Sequence, residues 1–289
     1  MSSKGNQTKT TRRIDGYPIL NSPTADLVIL KFNNSLKCFK YVSIDELVSA
    51  PYELQVSRGD IPNSSSIFII GRTDLLSSTI RNIWNAPMNN LDLPSRITGS
   101  VIRVVSTSSQ DIAGGTGLTS LVILGLDTDG NQIVEIILMN GTTPVVLNNN
   151  FTFINDMIMF DNGVLKTNQG NISAYHDNDP DKIMSWISIG EGTSKISAYR
   201  VPKDHTLFVK SFVDSTEKGV DTNTIFRIVT IEEGTVDTKF PLFQNSLEIN
   251  SNYSIKIESL QTIQMLGTTM SGASKQLSTA LTGILIKND

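Results

Sequence analysis

Only one cysteine, Cys38, occurs in the chain of 289 residues, so no disulfide can close within it and no paired-thiol zinc site can form. That usage suits a reducing compartment. Histidine is almost as scarce. His176 and His205 are the two present, and each falls in a turn-rich stretch, which leaves little material for general acid–base chemistry near neutral pH. No Gly-x-Ser-x-Gly elbow occurs, so the chain is not expected to be an enzyme, and no cofactor motif is found. Nowhere do about 18 apolar residues run together, and the first residues lack the apolar core of a signal peptide. A soluble protein with no membrane partner, outside the standard secretory route, is expected. Triplets such as Asn63-Ser64-Ser65 and Asn150-Phe151-Thr152 then reflect an Asn/Ser/Thr-rich composition rather than glycosylation. Charge of one sign is lacking too: 24 basic residues stand against 28 acidic ones. The whole molecule therefore offers no general attraction to nucleic acid.

What is present begins with a polar segment. Lys4, Lys9, Arg12 and Arg13 lie among Ser, Thr, Asn and Gln, which reads as a flexible basic arm over residues 1–25. Such an arm suits attachment to an acidic protein surface or packaged DNA, and reads equally well as a solvated tail. Residues 26–51 form a small module. Asp26-Leu27-Val28-Ile29-Leu30-Lys31-Phe32 and Leu36-Lys37-Cys38-Phe39-Lys40-Tyr41-Val42 make a hairpin across Asn33-Asn34-Ser35, and Ser43-Ile44-Asp45-Glu46 caps a short helix stopped by Pro51. Residues 52–97 read as a connector with strands at 53–57, 66–70 and just before Trp84.

From Ser100 onward, runs of five to ten residues separated by Gly, Asn, Asp or Pro give the signature of an all-β protein. Val134, Ile136 and Leu138 alternate with Glu135, and Tyr253, Ile255 and Ile257 alternate with polar neighbours, as in half-buried antiparallel strands. Phe151-Thr152-Phe153-Ile154 through Met157-Ile158-Met159-Phe160, and Ile183-Met184-Ser185-Trp186-Ile187, carry apolar side chains on both faces. Those faces need a second sheet or a second subunit over them. Asp127-Thr128-Asp129-Gly130-Asn131 is the strongest hairpin signal. The expected fold is two antiparallel β-sandwiches, jelly-roll-like, over 98–180 and 181–289.

Several clusters invite a chemical reading. Asp177, Asp179 and Asp181, and separately Asp127 and Asp129, place oxygen ligands at alternate positions and are the candidates for a structural calcium, although neither completes an EF-hand. The first three are also the carboxylates a depolymerase would use. An ordinary solvated turn is the simpler reading of both. Ala113-Gly114-Gly115-Thr116-Gly117 lacks the Gly-Lys-Ser/Thr of a phosphate loop and reads as a mobile loop. Arg58-Gly59-Asp60 spells an integrin-recognised tripeptide at the end of an expected strand. Trp186 is expected to fill a core, and Trp84 to make a contact between domains or subunits.

The order and spacing of several pieces carry a resemblance. They are Tyr52-Glu53-Leu54-Gln55-Val56-Ser57-Arg58-Gly59-Asp60-Ile61-Pro62, Gly71-Arg72 with Ile83-Trp84, and Val104-Val105-Ser106-Thr107-Ser108 before Gly115-Thr116-Gly117. They continue through Gly125-Leu126-Asp127-Thr128-Asp129-Gly130-Asn131, Leu138-Met139-Asn140-Gly141-Thr142-Thr143, Gly190-Glu191-Gly192 and Tyr199-Arg200-Val201-Pro202. Together they resemble a family of β-rich virion structural proteins of tailed phages and other aquatic dsDNA viruses. Where that family usually has glycine, this chain has Asn63 and Asp204, both of which tolerate the left-handed backbone of a tight turn. The resemblance implies a virion protein assembled in the host cytoplasm: a minor capsid-associated, decoration, vertex or collar component. It would attach by its N-terminal segment to the major capsid protein or to portal or tail components, and form homo-oligomers. The alternative is a receptor- or carbohydrate-binding tail fibre or appendage.

Overall fold

The computed structural model describes residues 13–14, 17–20, 28–33, 38–43, 52–76, 79–86, 101–216, 222–230, 234–242, 246–269 and 275–288. The chain divides into two units, Met1–Asp60 and Ile61–Asp289.

The first unit holds strands β1 (Arg13–Ile14), β2 (Tyr17–Leu20), β3 (Val28–Asn33) and β4 (Cys38–Ser43) in the order β1-β2-β4-β3. The two apolar runs read as a hairpin pair antiparallel as β3 and β4, with Val28 opposite Ser43 and Asn33 opposite Cys38. Arg13, assigned to a flexible arm, lies in β1 opposite Pro18. Lys4, Lys9, Arg12 and the helix expected after Ser43 lie outside the described residues.

Residues 53–57 are a correction. They belong to helix α1 (Tyr52–Arg58), not to a strand. Leu54 and Val56 alternate over too few residues to decide the period, whereas Glu, Leu, Gln and Arg are good helix formers and Pro51 stands where a helix can start. Glu53 in the first turn and Arg58 in the last both complement the helix dipole. Gly59, at φ 77°, ends it. Its N–H donates to the Val56 carbonyl (3.0 Å) and the Asp60 N–H to the Gln55 carbonyl (2.9 Å), a Schellman cap. The Arg58-Gly59-Asp60 tripeptide is thus the end of a helix.

The second unit is all-β. In chain order its strands are β5 (Ser64–Leu76), β6 (Arg81–Asn82), β7 (Ile102–Ser106), β8 (Leu118–Leu126), β9 (Gln132–Leu138), β10 (Val145–Val146), β11 (Phe153–Asn162), β12 (Ile172–His176) and β13 (Asp179–Ile187). There follow β14 (Ala198–Arg200), β15 (His205–Thr216), β16 (Thr222–Thr230), β17 (Gly234–Leu242), β18 (Ser246–Ile257), β19 (Thr262–Thr269) and β20 (Lys275–Lys287). They make small antiparallel sheets, closer in size to propeller blades than to one large jelly roll. Sheets β10-β7-β12-β13 and β11-β8-β9 share one core, built from Ile102, Val104, Leu121, Ile123, Phe151, Met157, Ile172 and Ile187 among others. Sheets β18-β15-β20-β5 and β14-β19-β16-β17, the latter with β6 on β19, share another around Leu207, Phe212, Phe226, Met265 and Leu281.

The connector is therefore part of a sandwich, because β5 pairs with β20 from Leu76 opposite Lys275 to Ser64 opposite Ile286. The chain lays down one edge of the C-terminal sandwich, builds the other sandwich, and returns. The boundary expected at 180/181 falls inside β13, which pairs with β12 from His176 opposite Asp179 to Ile172 opposite Ile187. A third core joins the sandwiches: Trp84, Ala86, Phe153, Ile183, Ile196 and Ala198. Trp84 is fully buried there, so it bridges the chain's own sandwiches and is no surface for a second subunit.

Asn63 and Asp204 take φ values of 59° and 57°, the left-handed turns expected of residues standing in for glycine.

Candidate functional site

Of the carboxylates singled out from the sequence, Asp127, Asp177 and Asp179 are occupied by protein donors. Asp127 Oδ1 accepts the N–H groups of Asp129 (2.9 Å) and Asn131 (2.8 Å), which folds the β8–β9 turn onto itself. Asp177 pairs with Arg103, and Asp179 accepts the Asp181 N–H at 3.2 Å and faces Lys182 at 3.8 Å. Among the described residues no three His, Cys, Asp or Glu side chains gather as a metal site requires. His176 is buried at the end of β12, and His205 Nδ1 lies 2.7 Å from the Lys203 carbonyl. Trp186 is half-buried against the third core, with its indole N–H 3.3 Å from Ser188 Oγ.

Two buried carboxylates that the sequence did not single out as sites hold the first sandwich's loops. Asp111 Oδ1 accepts from Leu118 N (2.8 Å) and Gln169 N (2.8 Å), and Oδ2 from Ser106 Oγ (2.6 Å) and Gly170 N (2.8 Å). A Cβ on Gly117 would stand 2.3 Å from Asp111 Oδ1. Gly117 thus allows the backbone to close around a carboxylate, so the end of the 113–117 segment is pinned rather than a mobile loop. Glu135 accepts from the amides of Asn148 and Asn149 at 2.8–3.0 Å, backbone and side chain alike.

Burying Glu135 sets the phase of β9. The alternation is as expected, but with its sides exchanged: Glu135 and Ile137 face inward, while Val134, Ile136 and Leu138 are 55, 54 and 65 % exposed. Ile136 lies level with Val122 and Ile158 across the sheet, and Phe160 is open on β11. These side chains expose on the order of 450 Å² of apolar surface, at the level where monomers begin to show interaction sites.

The second feature is a groove between the sandwiches. β5 is the terminal strand of its sheet. Residues 66–70 form one bank of a cavity of about 350 Å³ whose other walls include Leu124, Gln132, Asp156, Ser194, Ile196 and Tyr199. A cavity of about 700 Å³ continues it past Arg72 and Asp74 on one side and residues 188–191 on the other, and Lys195 lines both. Ion pairs close this end: Glu191 Oε1 lies 2.8 Å from Lys195 Nζ and 4.0 Å from Arg72 Nη1. Positive φ at Gly190 and Gly192 shapes the 188–192 turn, which Asn168 holds by accepting the Gly192 N–H at 3.0 Å and donating to the Ser188 carbonyl at 2.8 Å.

A β-bulge aims Asp156 into the groove. The register of β11 on β8 shifts between Ile154 and Asp156. The displaced Asn155 is clamped to Arg200, accepting its N–H (2.9 Å) and donating to its carbonyl (3.1 Å). Arg200 is fixed in turn by the Phe153 ring, 5.0 Å from its guanidinium carbon, and by Thr262 Oγ1 at 2.9 Å, and burial lowers its pKa to about 10. Asp156 Oδ1 accepts from Ser194 Oγ at 2.5 Å and Thr193 Oγ1 at 3.4 Å. Burial pushes its carboxyl up to about 6, and those hydroxyls, with the Met157 backbone, offset part of the rise. Beside it the Tyr199 hydroxyl is buried without a partner among the described residues, and its pKa is raised by that burial. The legible signal was the polar pair Asn155-Asp156 interrupting an apolar strand.

No family model matches the chain, and no curated protein matches it in sequence. Solved structures give weak likenesses only. A structure of the Gt strain of infectious bursal disease virus is 10% identical, over 82% of this chain and 78% of that one, with a TM-score of 0.20. The VP2 subviral particle of infectious bursal disease virus is 8% identical, over 78% and 70%, with a TM-score of 0.21. An isomalto-dextranase of Arthrobacter globiformis T6 complexed with panose gives 8% identity and a TM-score of 0.21, over 78% of this chain and 35% of that one. At such scores none of these likenesses carries an argument about what the chain does.

Proposed function

We propose that the chain is a structural component of a virus particle, a minor capsid-associated, decoration or vertex and collar protein that assembles through its sandwich surfaces. The observation that carries this reading is the uncharged outer face of β9, with Val134, Ile136 and Leu138 turned to solvent on a sandwich whose loops are otherwise pinned by buried carboxylates. Covering that face against a neighbour, with a polar rim around it, would bring the contact near the roughly 800 Å² per partner typical of stable interfaces. A second copy is the simplest neighbour, since repeated components meet by symmetry. The N-terminal segment, with Lys4, Lys9, Arg12 and Arg13, supplies attachment to the major capsid protein or to portal or tail components in this reading. The resemblance of the ordered motifs to virion structural proteins supports it as well.

The test is to purify particles made with tagged wild-type protein and with an Ile136→Lys, Leu138→Lys variant, and to locate the tag by microscopy. Label at defined sites on wild-type particles, and its loss with the variant, is the expected result. Particles that never carry the wild-type protein would overturn the proposal.

A further inference from the structure

The groove holds a set of groups that assembly through β9 does not use. Phe68, on the bank formed by β5, is 64 % exposed, and Ile70 beside it is also open. Asp156, re-aimed by the bulge, lines the same cavity, as does the ring of Tyr199, whose hydroxyl is buried behind it. Gln132 lies on its wall at the exposed start of β9. One side is thus apolar and partly aromatic, and the other offers a carboxylate and an amide. A ligand that satisfies both must have an apolar face and a rim of hydroxyls able both to donate and to accept. Pyranose rings have that character, with C–H groups on one face and hydroxyls around the edge. A space of about 350 Å³ lies within the range of small-molecule sites and accommodates one or two such rings. A purely apolar ligand would cut Asp156, whose Oδ1 already accepts from Ser194 and Thr193, off from water at its remaining acceptor positions, at a cost in affinity. A multiply charged one would meet the ion pairs of Arg72, Glu191 and Lys195 already matched to each other.

We infer that the groove between β5 and residues 193–196 is a carbohydrate site that takes the terminal one or two neutral sugar rings of a glycan, with Phe68 under the ring face and Asp156 and Gln132 at its hydroxyls. This goes beyond a structural role, although Gln132 and Asp156 stand on the same outer sheet face as Val134, at the end away from Leu138.

The experiment is to screen the purified full-length protein on an array of mono- and oligosaccharides and to titrate the strongest neutral sugar by calorimetry. Asp156→Asn and Phe68→Ala are tested alongside. The first is isosteric, and the second removes an exposed ring, so circular dichroism and thermal unfolding should confirm that both variants fold. Saturable binding of one sugar class, weakened tenfold or more by each substitution, is expected. An array with no sugar above background would overturn the inference, as would binding that both folded variants retain unchanged. Neither outcome touches the assembly proposal, whose substituted residues, Ile136 and Leu138, line no part of the groove.

Discussion

Asp214 on β15 gives a prediction whose size can be worked from the structure. The residue is fully buried inside the C-terminal sandwich, and neither carboxylate oxygen has a hydrogen-bond partner among the described residues. The hydroxyls of Thr222 and Thr279 are likewise buried without partners among the described residues, and that of Thr224 stands close enough to the Asp214 carboxyl to favour its charged form. Burial is the larger effect on Asp214 and the neighbouring Thr224 hydroxyl a partial offset, so the carboxyl is pushed up from 3.8 to about 7. The folded state therefore holds this proton more tightly than the unfolded chain does. Stability is full below the unfolded value, declines as pH rises from about 4 to 7, and levels off above that. A rise of three units corresponds to about 4 kcal/mol between the two limits. Asp214→Asn is neutral at every pH and removes this dependence, while its own unsatisfied amide costs about 1–3 kcal/mol. The variant should gain about 2 kcal/mol at pH 8, or roughly 4–8 °C in Tm, and lose about 2 kcal/mol at pH 4. Urea unfolding at both pH values, followed by the fluorescence of Trp84 and Trp186, measures this. A variant no more stable than wild type at pH 8, with the same pH dependence, would refute the reasoning.

Asp111→Ala removes the acceptor of four donors that would remain buried, so a loss of about 3–5 kcal/mol is expected in denaturant unfolding, with faster hydrogen exchange at Leu118, Gln169 and Gly170. Asp204→Gly relieves a left-handed backbone at φ 57° and should raise stability by up to about 1 kcal/mol, read as an upward shift in Tm. Trp84→Ala empties the core between the sandwiches and should cost about 3–5 kcal/mol. If the sandwiches then melt separately in calorimetry, that core is what couples them.

The all-β class was legible because period-two runs with turn residues between them dominate the chain, and the β8–β9 hairpin was legible from Asp127 to Asn131. The left-handed turns at Asn63 and Asp204 could also be read, since Asn and Asp tolerate that conformation better than other side chains do. What failed had physical causes. Four residues of alternation around Leu54 and Val56 cannot outweigh helix-forming composition and a glycine stop. β5 and β20 lie some two hundred residues apart in sequence, and no local pattern announces so distant a pairing. The facing of β9 could not be read because Glu135, which looks like the solvent side, is paid for by four amide hydrogen bonds from Asn148 and Asn149. The groove was hidden for a similar reason, as its banks come from β5, β11 and residues 193–196.

Sedimentation equilibrium over about 1–100 µM, on wild type and on Ile136→Lys, Leu138→Lys, tests the β9 face most directly. The account predicts a discrete wild-type oligomer and a monomeric double variant with unchanged secondary structure and unfolding. A wild-type protein that stays monomeric across that range, or a variant that associates as the wild type does, would contradict it.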